Sequence, residues 1–221
     1  SKPSLDAYAF TGQEQKMPKL AKMTEMKETS TKTQMGDSPL SFWYFFVFFG
    51  LDFLKKIGVH TISFTPNDSQ EDIVKRLKNS GLANKLSMIY IETPANPTNA
   101  LIDIDMCKDM ANRYSTDDKK VYLAVDNTYM GPLWQHPLEH GADIALYSAT
   151  KYIGGHSDLI AGACCGNQEV VSRVKVLRTF LGNMAAPHTG WLLMRSLETL
   201  KIRMEQQAEN AQHVANYLKD H

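Results

Sequence analysis

The chain has 221 residues, 43% hydrophobic and 22% charged, the profile of a soluble globular protein with one sizeable core. Its 24 Lys and Arg balance its 24 Asp and Glu. That zero net charge speaks against nucleic acid or an acidic membrane as partner and makes self-association easy. The three cysteines, Cys107, Cys164 and Cys165, are too sparse for a disulfide framework; Cys164 and Cys165, adjacent in an apolar run, are expected to be buried reduced thiols in a reducing, cytoplasmic setting.

Residues 1–38 are rich in Lys, Thr, Met and Gln and hold no stable period. They read as a loose N-terminal arm without a secretory signal. The aromatic run from Phe42 to Phe49 follows, and it must be buried or it will aggregate. It falls well short of the roughly 20 residues that a membrane span needs. Leu51, Leu54 and Ile57 recur at helical spacing, with Gly58 as the stop. Val59 to Phe64 reads as a short strand, Asp68 to Lys78 as a helix capped by Asp68 or Ser69, and Leu86 to Ile91 as a strand. A helix over Ile104 to Tyr114 and a strand over Val121 to Val125 come next. Pro137 to His140 reads as a short helix, Ile144 to Tyr147 as a strand, and Ile160 to Cys165 as a further apolar run.

Strands alternating with helices imply an α/β fold with a largely parallel sheet. Leu193, Leu197, Leu200, Met204, Ala208, Ala211, Val214 and Leu218 step by three and four, which predicts one long amphipathic helix in need of a partner surface. The expected division is an arm over 1–38, a core over 39–190, and over 191–221 a helix leading toward a further C-terminal domain.

In open α/β sheets, ligands bind beyond the carboxyl ends of the strands. Three such ends carry polar residues here: Glu92 to Asn99, Asp126-Asn127-Thr128, and Ser148-Ala149-Thr150-Lys151. One acid, an amide, hydroxyls and a lysine would meet on one edge. Such a set suits pyridoxal 5'-phosphate (PLP). Its pyridinium needs a carboxylate partner, its aldehyde a lysine amine, and its phosphate hydrogen-bond donors. Each residue also has a plainer reading. Asp126 can be a cap, Ser148, Thr150 and Asn96 turn formers, and Lys151 a solvated charge. His156 has no second ligand at metal spacing and reads as a packed loop histidine, so no metal is expected.

Three segments carry a resemblance. They are Val125-Asp126-Asn127-Thr128-Tyr129, Ser148-Ala149-Thr150-Lys151-Tyr152-Ile153-Gly154-Gly155-His156-Ser157-Asp158, and Glu92-Thr93-Pro94-Ala95-Asn96-Pro97. With Arg195 to Leu200, Arg203-Met204 and Glu209-Asn210-Ala211, they closely resemble the Cys/Met-metabolism PLP enzymes, over about residues 51–221. That family includes cystathionine γ-synthase, cystathionine γ-lyase and methionine γ-lyase. The resemblance implies the large domain of an aspartate aminotransferase-like PLP enzyme, with a mostly parallel sheet flanked by helices. It implies Lys151 as the Schiff-base and proton-transfer lysine, Asp126 as pyridine partner, Ser148 and Thr150 as phosphate ligands, and Thr128 and Asn96 as ring contacts. It further implies a carbon–sulfur lyase or transferase acting on a sulfur amino acid such as cystathionine, methionine or homocysteine, assembled as a dimer of dimers.

The family's Ser-Gly-Met-like phosphate turn, its Tyr-Gly-Gly turn and its Tyr-x-Arg pair have no counterpart in the sequence. The substrate-carboxylate arginine belongs to a domain beyond the last residue. The expectation is an incomplete family member, slow on its own. The alternative is a catalytically degenerate relative that acts as a structural or oligomer-forming subunit.

Overall fold

The computed structural model describes residues 6–10, 54–219 and 221. The chain divides into two compact units, Ser1–Gly12 with Phe64–His221, and Gln13–Ser63. In the second unit residues 54–56 are helical, and the N–H groups of Ile57 and Gly58 donate to Leu54 and Lys55. The aromatic run 42–49 and most of the segment 1–38 lie outside the described residues.

The larger unit is built on a five-stranded sheet. In chain order its strands are β1 (Asp6–Phe10), β2 (Met88–Glu92), β3 (Tyr122–Asp126), β4 (Ile144–Ser148) and β5 (Gly162–Gly166), and across the sheet the order is β1-β5-β4-β3-β2. β2, β3 and β4 are parallel, while β5 lies antiparallel to both β4 and β1, so four of the five strands point one way. β1 falls within the segment read as a loose arm, and pairs Asp6–Phe10 with the outer side of β5.

The two faces of the sheet follow from the period of two along each strand. Ile89, Ile91, Leu123 and Val125 point to one face. There they meet Ile73 and Val74 of α1 (Gln70–Asn79) and Cys107, Met110 and Ala111 of α2 (Ile104–Tyr114). Ser69 caps α1 in a reciprocal capping box with Asp72, and Asp103 caps α2 through Met106 N–H. On the opposite face Ala124, Ile144 and Cys164 pack on Val170 of α4 (Gln168–Leu181). A third cluster joins Ala149, Leu159 and Ala161, which flank the loop after β4, to Leu193 of α5 (Pro187–Leu197). The site-bearing loop is thus packed on a helix of its own.

Three expectations are corrected. Val59 to Phe64 forms no strand: residues 59–65 run without a ladder partner, so β-branched content alone did not make a sheet element. Pro137 to His140 is a run of turns rather than a helix, with bonds such as His140 N–H to Pro137 O (3.1 Å), and the short helix nearby is α3 (Gly131–Trp134). The run from Ile160 to Cys165, read only as apolar, supplies most of β5 from Gly162 on. The C-terminal helix is two helices, α5 and α6 (Leu200–Leu218), separated at Glu198-Thr199, where Thr199 departs to φ −110° and ψ 3°.

Candidate active site at the carboxyl edge of the sheet

Glu92 and Asp126 are register partners at the ends of β2 and β3, and Ser148 ends β4. Counting back by twos places Glu92 with Tyr90, Asp126 with Ala124, and Ser148 with Ile144, so all three polar ends share the face that α4 covers further down. The parallel ladder therefore gathers the polar residues on one face and one edge.

Asp126 is half-buried and held from two sides. Its Oδ1 accepts the N–H of Thr128 at 3.0 Å, and its Oδ2 accepts the Tyr90 hydroxyl at 3.4 Å. Desolvation of the Tyr90 hydroxyl, and then the Asp126 and Glu92 charges, push that phenol upward, so it stays a neutral donor. Burial also raises the Glu92 carboxyl; the Asn96 N–H opposes the rise and the Asp126 charge adds to it. Two adjacent carboxylates make this edge favourable to a positively charged N–H donor.

Behind Asp126, fully buried Asn127 is saturated. The two protons of its Nδ2 are shared among three acceptors within reach, Gly131 O, Gln135 O and the Tyr147 hydroxyl, and its Oδ1 accepts from Gln135 Nε2 at 2.7 Å. Gln135 Nε2 also reaches Thr93 O at 2.7 Å. This network ties the ends of β2, β3 and β4 into one platform. Gly131 (φ 64°) closes it: a Cβ there would come 2.6 Å from the Met204 methyl of α6. Sequence reasoning gave no role to Tyr90, Asn127 or Gln135. Tyr90 and Glu92 were open to discovery as the polar phase of a strand whose other phase is Ile89 and Ile91. Gln135 carries no local signal.

Lys151 opens the turn after β4 and is exposed; its N–H donates to Ser148 O at 3.0 Å. The Ser148 N–H in turn donates to Thr128 Oγ1 at 2.7 Å. Thr150 Oγ1 accepts Ala161 N–H at 2.9 Å and donates to Ala161 O at 3.2 Å, bracing the turn against the start of β5. Asn96, on the loop after β2, is exposed, and its N–H bonds Glu92 rather than Asp126. His156 Nδ1 donates to Gly154 O at 2.7 Å, a contact within its own loop, but the residue is exposed rather than packed. Asp126, Thr128, Ser148 and Lys151 are thus linked through the backbone of one edge, with Asn96 one strand over and Thr150 turned toward Ala161.

The profile of the Cys/Met metabolism PLP-dependent enzymes matches residues 48–221. The chain belongs to this family. It is 38% identical over 170 residues to an L-methionine gamma-lyase of Treponema denticola, covering 76% of this chain and 40% of that protein. It is 37% identical over 169 residues to a cystathionine gamma-lyase of Bacillus subtilis, covering 76% of this chain and 42% of that protein. The solved structure of metB from Corynebacterium glutamicum superposes with a TM-score of 0.60 at 32% identity, over 67% of this chain and 37% of that one. The chain therefore spans about two fifths of the length of the relatives it matches.

The edge has the spare hydrogen-bonding capacity that the family's cofactor requires. Among the described residues Asp126 Oδ2 holds only the long bond from Tyr90, leaving a lone pair for a stronger N–H donor. Among the described residues the Ser148 hydroxyl makes no hydrogen bond and Thr128 Oγ1 serves only as an acceptor, so within them neither hydroxyl proton is engaged. The donor set fits PLP. No group of three or more candidate metal ligands occurs among the described residues.

Proposed function

We propose that this chain carries the PLP-anchoring core of a carbon–sulfur lyase or transferase that acts on sulfur amino acids of the cystathionine, methionine or homocysteine kind. The observation that supports it is the convergence of Asp126, Ser148 and the Lys151 turn on one face and one edge of the sheet. In this reading Lys151 holds the cofactor covalently through its amine. Once that amine is displaced by the substrate's own, it carries a proton between neighbouring substrate carbons as base and then acid. Asp126 accepts the pyridinium N–H, and the Thr128 N–H keeps its carboxylate oriented. Ser148 donates to the phosphate, joined by Thr150 when it gives up its longer, 3.2 Å bond to Ala161. Thr128 and Asn96 contact the ring. PLP, when bound, supplies an electron sink for negative charge developing beside the substrate's amino group.

The test is a visible absorption spectrum of the chain with added PLP, followed by borohydride reduction and peptide mapping. The expected result is cofactor fixed to the peptide containing Lys151 and lost in Lys151→Ala. Fixation at another lysine, such as Lys175, would overturn the assignment.

A second reading, that of an oligomer-forming subunit, is favoured by the helices beyond β5. Phe180 and Leu181 of α4 are 83% and 72% exposed, and Met194 and Ile202 of α5 and α6 are 70% and 69% exposed. Soluble chains rarely leave so much apolar surface wet. Both readings predict a homo-oligomer, with a dimer of dimers as the proposed assembly. A cytoplasmic setting belongs to this reading, supported by three cysteines that are free thiols; burial pushes Cys107 up to about 12 and Cys164 to about 11, so both stay protonated. No described helix is long and apolar enough to cross a membrane.

A further inference from the structure

The turn that carries Lys151 is gripped by a single guanidinium from another element. Arg203, on the first turns of α6, sends Nη1 to the carbonyl of Tyr152 at 2.7 Å and Nη2 to that of Ile153 at 3.4 Å. The same side chain is fixed at its base. Nη2 also donates to Ser196 O at 2.8 Å, and Nε donates to Thr199 Oγ1 at 3.1 Å. Arg203 is therefore locked to the α5–α6 corner and reaches out to the two residues that follow Lys151.

The turn is shaped to receive it. Gly155 has φ 73°, and its N–H donates back to Lys151 O at 2.7 Å, closing the turn over Lys151 itself. A Cβ on Gly155 would overlap Arg203 Nη1 and sit 2.6 Å from Cζ. Glycine at this position thus meets two demands at once, a left-handed backbone and room for a flat cation. Gly154 N–H to Ala149 O, at 2.7 Å, completes the closure. A lysine on a turn so constrained has its backbone fixed from both sides, and among the described residues Arg203 is the side chain that bonds the carbonyls of Tyr152 and Ile153.

We propose that Arg203 is a positioning residue for Lys151. By holding the Tyr152 and Ile153 carbonyls, it sets where the Lys151 amine stands relative to Asp126 and Ser148. This rests on the reading of Lys151 as the cofactor lysine. Lysine would be a poor substitute, because one ammonium cannot span carbonyls of both the turn and the α5–α6 corner in a flat fork.

The experiment uses the full chain and the variants Arg203→Gln, Arg203→Lys and Gly155→Ala. Each is measured three ways: the visible band with PLP and its pH midpoint, the labelling rate of Lys151 by an amine-reactive acetylating reagent without PLP, and the melting temperature. PLP affinity is expected to fall about ten-fold in Arg203→Gln. The pH midpoint and the labelling rate of Lys151 should move as well, with partial recovery in Arg203→Lys. Gly155→Ala should reproduce the Gln phenotype, and the double variant should be no worse than either single one. If Arg203→Gln fails to fold, Gly155→Ala, which keeps Arg203 in the chain but crowds its guanidinium off the turn, carries the test. A lowered melting temperature with unchanged midpoint and labelling rate would overturn the proposal, leaving Arg203 as a staple of the α5–α6 corner. Failure of the underlying reading is distinguishable, because it appears in the parent chain as PLP fixed elsewhere than Lys151, and it would take this proposal with it.

Discussion

Thr128 Oγ1 accepts the backbone N–H of Ser148 at 2.7 Å, joining the residue two beyond the end of β3 to the last residue of β4. Replacing Thr128 by Val keeps the shape and removes the acceptor. The part-buried N–H is then left without a partner, at a cost of about 1–3 kcal/mol. Thr128→Ser should behave like the parent. Urea unfolding midpoints of the three proteins check this, and equal midpoints for Val and the parent would contradict it.

Asp126→Asn should retain the fold, because an amide oxygen still accepts the Thr128 N–H. PLP affinity should fall by the equivalent of about 1.5–3 kcal/mol, the worth of a charged hydrogen bond. Spectrophotometric titration with PLP measures it. Unchanged affinity would reduce Asp126 to a structural cap.

Asp143 gives a pH prediction. Burial alone would raise its carboxyl, but Lys120 at 2.5 Å, the Leu123 N–H at 2.9 Å and Lys108 at 3.5 Å outweigh burial and hold it below the usual range. A depressed folded-state value means that the stabilisation is present above the unfolded carboxylate value of about 3.9 and is lost as pH falls through the lower, folded one. Asp143→Asn should therefore lose stability at pH 7, while the difference from the parent shrinks on acidification below about pH 4. Unfolding free energies at pH 7 and pH 3 supply the comparison, and a gap that widens in acid would be the wrong sign.

Self-association should run through the exposed apolar residues at the end of α4. Phe180→Glu with Leu181→Lys should shift the chain to a smaller species by light scattering at micromolar concentration. An unchanged mass would place the contact elsewhere.

The central strands were legible for two reasons: β3 is buried on both faces, and β2 buries Ile89 and Ile91 on one face while Met88 and Tyr90 are exposed on the other. Ile89, Ile91 and the Leu123-Ala124-Val125 run leave no other reading, and the polar residues that end them mark the edge where a ligand would sit. The direction of β5 was not legible. Gly-Ala-Cys-Cys-Gly is apolar in either orientation, and only the lack of a crossover helix between β4 and β5 betrays the reversal. The break at Glu198-Thr199 was hidden because Glu198 keeps helical angles, so the steps of three and four from Leu193 through Met204 run straight across it. Pro137 opened a helix pattern that Gly141, at φ 80°, ended before a helix could form. At the site, Asp126, Thr128 and Ser148 were readable from their strand ends. The bonds of Thr150 to Ala161 and of Arg203 to the turn depend on elements far away in sequence, and no local pattern announces them.

The loop from 149 to 161 leaves and re-enters the sheet at neighbouring points, since Ser148 and Gly162 are direct partners in the β4–β5 ladder. The sheet therefore fixes where its two ends stand, and the chain-entropy cost of closing it grows only slowly with length. The loop is an exchangeable cassette. A graft of a relative's 149–161 segment, or a residue added near its exposed middle at His156, should leave the sheet standing while changing how the lysine is presented. Evolution could retune the lysine here without redesigning the core.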